Sequence, residues 1–128
     1  MILDELQELE QPEMEMLAMR EFQFSSAATL DIDEKAMQGH NYELRVIVKG
    51  NPDARGVILD TRIIERIVNQ EIIVKLDKKN LNEIIPNPTM ERISMWIWNK
   101  LKPSIKELHE VRVWENRKKG TSVIYREN

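Results

Sequence analysis

Cysteine is missing from all 128 positions, and that single absence removes disulfide bonds, thiolate metal ligands and a cysteine nucleophile together. Nor is there any apolar run near the roughly 18 residues that a membrane span needs. No basic stretch leads into an apolar segment at the start, so no secretory leader is expected and the cytoplasm is the expected compartment. Excess positive charge is lacking too: the formal net charge is -3, with Lys and Arg spread among acids. That charge pattern predicts neither a nucleic-acid nor a membrane partner.

What is present suits one small domain, because 41% hydrophobic residues in a chain of this length can fill a single core and little more. Residues 1-17 stand apart in composition. Asp4, Glu5, Glu8, Glu10, Glu13 and Glu15 alternate with Ile2, Leu3, Leu6, Leu9, Met14 and Leu17 without a basic residue, and Pro12 would cut a helix short. This segment reads as a solvated acidic extension, with a partner-docking segment as the alternative. The domain proper is expected over 18-128.

Within it, residues 19-32 alternate well enough for a strand. In 41-49, Leu44, Val46 and Val48 point one way while Arg45, Ile47 and Lys49 point the other. The two are expected to pair as a hairpin across 33-39. Asp60 is placed to cap a helix whose apolar face is Ile63, Ile64, Ile67 and Val68. Asn87 followed by Pro88 predicts the start of a second helix carrying Ile93, Trp96, Ile97 and Leu101. Residues 111-115 and 122-126 read as strands joined across Arg117-Lys118-Lys119-Gly120. The order ββααββ predicts an α+β fold, a four-stranded antiparallel sheet with two helices on one face.

Several short motifs fall in a telling order: Phe24-Ser25-Ser26-Ala27-Ala28, Gly39-His40-Asn41-Tyr42, Leu76 through Asn82, Pro88-Thr89-Met90-Glu91 and Val111 through Glu115. This series resembles the 6-pyruvoyl-tetrahydropterin synthase and 6-carboxy-tetrahydropterin synthase family. The resemblance covers most of the chain after the extension and implies the tunnelling fold. It also implies a homo-oligomeric ring, a trimer-based hexamer, with pterin pockets at the subunit seams.

It implies a zinc site as well, and here the chain departs from the pattern. The family's three zinc histidines fall on Ala28, Gln38 and His40. A methyl group and a carboxamide do not replace two imidazoles in a site that needs about three protein ligands, so no bound metal or other cofactor is expected. His40 is then a hydrogen-bonding residue of its strand. The family's catalytic cysteine falls on Glu34, which resembles the branch that cleaves the dihydroneopterin side chain in an aldolase-like reaction. In that setting a carboxylate can take a hydroxyl proton; otherwise Glu34 is an acid in a polar loop.

The family's Asp-His pair falls on Asp77 and Lys78. Lysine serves as a proton carrier near neutrality only where burial or another cation lowers its pKa; otherwise Lys78 is a charged loop residue. Glu115 sits where the family places the carboxylate that grips the pterin ring, two oxygens facing the paired N-H donors of a 2-amino-4-oxo-pyrimidine edge. Thr89 and Glu91 match residues that help fix that ring. Of Trp96 and Trp98, two apart on a helix, one is expected to be exposed or at a subunit contact.

Three functions follow. One is a zinc-independent lyase or aldolase acting on a dihydroneopterin-like substrate through Glu34, Asp77 and Lys78. The second is a pocket that binds the heterocycle through Thr89, Glu91 and Glu115 without chemistry. The third is a scaffold that only assembles. The ordinary synthase reaction, elimination of triphosphate from dihydroneopterin triphosphate, is expected to be absent.

Overall fold

A computed structural model describes residues 15-30 and 38-127. The acidic extension up to residue 14 and the 31-37 connection, with Glu34, lie outside the described residues. Four strands, β1 (Met16–Ala28), β2 (Gln38–Gly50), β3 (Leu108–Glu115) and β4 (Ser122–Arg126), form one sheet in the order β1-β2-β3-β4. Every neighbouring pair is antiparallel. Helices α1 (Thr61–Val68) and α2 (Met90–Leu101) bury their apolar sides with one face of that sheet, as the sequence order predicts.

The alternation in β2 places Leu44, Val46 and Val48 in the core at 0% exposure. Across the strands, Phe24, Val111 and Val113 join the same layer. Strand β1 begins earlier than the sequence pattern indicates and stops at Ala28, before Thr29 and Leu30; the expected residues 31-32 lie outside the described residues. The reason lies in long-range bonding. Beyond Ala28 the backbone of Thr29 is taken by the Asn82 side chain, which accepts from its N-H and donates to its carbonyl, both at 2.8 Å.

Asp60 caps α1 as expected, its carboxylate accepting from the Arg62 N-H at 2.9 Å. The apolar face needs correction at Ile63, which is 37% exposed, and the helix is longer than its periodicity showed. It continues through a π-turn (Asn69–Ile73) and one further turn (Val74–Leu76). Ile64, Val68, Ile72 and Leu76, each at 0% exposure, form a single buried row four residues apart. A regular α-helix would rotate such a row by about 40° at each step. The wider π-turn winds less per residue and returns Ile72 and Leu76 to the core.

The start of α2 is a second correction. Its N-cap is Thr89, whose hydroxyl accepts from the Arg92 N-H at 3.2 Å, not Asn87. Asn87 is left-handed at φ 44, which turns the chain before Pro88 and leaves the capping geometry to Thr89. On α2, Trp98 is the buried tryptophan, meeting the Tyr125 ring of β4 at a tilt with centroids 5.2 Å apart, while Trp96 is half-buried. Trp114 lies on the other side of the sheet. There Arg45, Arg112 and Arg117 sit over its ring at 5.0, 4.6 and 4.4 Å, so the described surroundings cover it with cations.

Candidate functional site

The loop after α1 is stitched to the end of β1 bond by bond. Asp77 Oδ1 accepts from the Ser25 N-H at 2.9 Å, and the Lys78 N-H donates to the Ser25 carbonyl. Ala27 N-H donates to the Lys79 carbonyl at 3.0 Å, and Ser26 Oγ donates to the Leu76 carbonyl. Ala27 and Asn80 complete a short parallel bridge. These bonds require Lys78 to adopt a left-handed φ of 59, uncommon for a residue with a side chain.

Between this loop and the β1-β2 hairpin end lies a cleft of about 520 Å³, lined by Ser25, Ser26, Ala27, Gly39, His40, Asn41, Lys78, Lys79 and Asn80. None of these residues is acidic. Neither Lys78 nor Lys79 forms a salt bridge to a described residue, so the cleft is cationic. A second cleft of about 310 Å³ shares the Ser25 and Asn41 wall and reaches Asn116, Arg117 and Lys118. Ser25 Oγ donates to Asn41 Oδ1 at 2.7 Å across that wall.

Register relates the three positions onto which the sequence resemblance maps the family's zinc histidines. Ala28 pairs directly with Gln38, and His40 pairs with Ser26 two residues back along β1, so the three positions lie together at the hairpin end. The donor set does not fit the metal. Ala28 contributes only a methyl group and is buried at 7%, and His40 Nδ1 lies 3.3 Å from Glu115 Oε1. Among the described residues no three His, Cys, Asp or Glu side chains are grouped to hold an ion.

Glu115 closes β3 opposite Tyr42. Tyr42 is 1% exposed and stacks on Phe24 at 5.1 Å; burial first, and the Glu115 charge second, push its hydroxyl pKa upward, so it stays a neutral phenol. Thr89 and Glu91 are not among the residues lining the cleft, nor is Glu115, which reaches it through His40. The structure thus gathers His40, Glu115 and Lys78 at one end of the sheet, commits the Asp77 carboxylate to Ser25, and leaves Thr89 and Glu91 at the start of α2. Lys79, Asn80 and the Ser25-Asn41 pair enter the site without having been singled out from sequence. The run from Asp77 to Asn82 held that information, but its meaning depends on pairing with β1.

The model of the 6-pyruvoyl tetrahydropterin synthase family matches residues 17–128. The chain belongs to that family. It is 30% identical to a dihydroneopterin monophosphate aldolase of Pyrococcus furiosus over 104 residues, covering 78% of this chain and 90% of that one. It is 33% identical to a putative 6-carboxy-5,6,7,8-tetrahydropterin synthase of Archaeoglobus fulgidus over 113 residues, covering 87% and 97%. The structure of Caenorhabditis elegans 6-pyruvoyl tetrahydropterin synthase superposes with a TM-score of 0.78 at 20% identity, covering 89% of this chain and 96% of that one. The last likeness bears on the fold, and it places the ββααββ sheet within the synthase family's architecture. No helix among the described residues is long and apolar enough to cross a membrane.

Proposed function

We propose that this member of the synthase family binds a pterin, or a related fused pyrimidine, beside the cleft and cleaves the side chain of a dihydroneopterin-like substrate without zinc. The observation that carries this reading is Glu115, fixed at the end of β3 and 3.3 Å from a histidine that lines the cleft. Its second oxygen has no bonding partner among the described residues and can accept from the ring's N-H donors. The aldolase name of a relative that spans most of this chain supports the lyase half of the proposal.

In this reading Lys78 and Lys79 receive the polar or anionic tail of the substrate, and the Lys78 ammonium group stabilises charge that develops during cleavage. Asp77 holds the loop that presents them. Glu34 is the carboxylate proposed to approach from the 31-37 connection. Thr89 and Glu91, absent from the cleft of this chain, are proposed to reach the pocket of a neighbouring copy in a ring, a trimer-based hexamer. One observation favours a binding protein without chemistry: Asp77 Oδ1 accepts from the Ser25 amide, as a structural link would.

The test is pterin fluorescence on adding metal-stripped protein to neopterin, followed by product analysis with dihydroneopterin and its monophosphate. Saturable binding with release of a two-carbon aldehyde, undiminished by a chelator, is the expected result. Binding without product establishes the non-catalytic reading, and a strict zinc requirement contradicts the proposal.

A further inference from the structure

We infer that His40 is the proton carrier of the cleft, held by Glu115 in the place where the family uses metal coordination. The inference rests on the pterin-pocket reading and assigns the chemistry within it. With Ala28 and Gln38 in place of two imidazoles, His40 has no partners for a metal site, yet the ring is not a loose surface group. Its side chain is 21% exposed, it lines the cleft, and it meets Tyr42 edge-on at 5.8 Å.

Glu115 Oε1 lies 3.3 Å from Nδ1. A carboxylate beside one ring nitrogen favours the proton there, which leaves Nε2 with the lone pair. A base oriented by an adjacent acid is a recurrent arrangement for proton transfer, and contacts of this kind commonly tighten when substrate binds. Among the described residues, the other charged or titratable groups around the ring are Tyr42 on the same strand and the Lys78 and Lys79 ammonium groups across the cleft. Tyr42 stays neutral, and the two lysines favour negative charge developing on a bound molecule.

The step balances without a metal or any second reactant. Nε2 takes the proton of the hydroxyl on the second side-chain carbon of a dihydroneopterin-like substrate. The bond between the first and second side-chain carbons breaks, and the second carbon becomes the carbonyl of the departing two-carbon fragment. The released electron pair passes to the ring-side carbon and its conjugated C=N. The imidazolium then returns the proton to that ring-side carbon, giving a hydroxymethyl pterin and an aldehyde. Glu115 acts on this step as a positioning residue, in addition to its contact with the ring.

Two readouts test the inference. His40 and His109 are the only histidines, so nitrogen-15 spectra of metal-stripped protein are assigned with one His109→Gln variant. His40 is expected as the Nδ1-H tautomer, and Glu115→Gln is expected to shift it toward Nε2-H. With dihydroneopterin, His40→Gln is expected to lower turnover by about 100-fold while neopterin affinity stays within about threefold. A wild-type Nε2-H tautomer, or full turnover in His40→Gln, overturns the inference. Neopterin binding with no turnover by the wild type also overturns it and leaves the pocket standing; absence of binding removes the pocket reading and this inference with it.

Discussion

Lys78 shows how much one residue can carry. A left-handed backbone costs a non-glycine residue about 1–2 kcal/mol, and here φ 59 is held in place by the bond from its N-H to Ser25. Lys78→Gly relieves the strain but adds chain freedom to the unfolded state, so urea unfolding should show stability unchanged within about 1 kcal/mol. Lys78→Met keeps the strain and removes the charge. Loss of turnover in both variants with folding intact would locate the function in the ammonium group; loss in neither would assign Lys78 to the loop alone. The motif made Asp77, Lys78 and Glu115 legible as candidates. It could not reveal that Asp77 bonds to an amide 52 positions away, because a carboxylate reads the same in sequence whether it serves a substrate or a strand.

At the scale of elements, the strands and both helices were legible because their apolar periods of two and near four match their burial. The π-turn was not, since it preserves the four-residue row Ile64, Val68, Ile72 and Leu76 that an ordinary helix would rotate away. Ile72→Ala should therefore cost about 2–5 kcal/mol in chemical denaturation, like other buried isoleucines, while Ile63→Ala should stay within about 0.5 kcal/mol. Equal effects would show that the π-turn does not steer the row.

The caps separate in the same way. Asp60 was legible by its position before the apolar row, whereas Thr89 was masked by the Asn87-Pro88 signal beside it. Side-chain and backbone hydrogen bonds from Arg62 hold the Asp60 pKa down to about 2. A depressed folded-state pKa means the contribution is present above the ordinary carboxylate pKa near about 4 and is lost as pH falls through the folded value. Thermal melts should show part of the acid destabilisation between those limits disappear in Asp60→Asn. An unchanged acid profile would contradict this role.

For the molecule as a whole, β1 and β4 are the outer strands and have no further strand beside them among the described residues, and Met16, Leu17, Met19, Ile124 and Tyr125 are exposed on those strands. Bare edges of this kind invite pairing with another copy, and unlike edges joined head to tail can close into a ring. Sedimentation should give a mass that is a multiple of 15.1 kDa. A shared pocket makes a sharper prediction: rings mixed from Thr89→Ala/Glu91→Gln subunits and Glu115→Ala subunits should recover some neopterin sites that neither parent has. No recovery in verified mixed rings would place the whole pocket within one chain. Only the family resemblance suggests such sharing, since no local pattern tells a residue which copy it will serve.

The central claim turns on the Glu115 carboxylate. Calorimetric titration of metal-free protein with neopterin, with guanine as competitor, should give saturable binding in the wild type. Glu115→Ala should weaken it by about tenfold or more, since losing a charge-assisted contact costs at least about 1.5 kcal/mol. Equal binding by wild type and Glu115→Ala, or no binding by the wild type, would contradict the account.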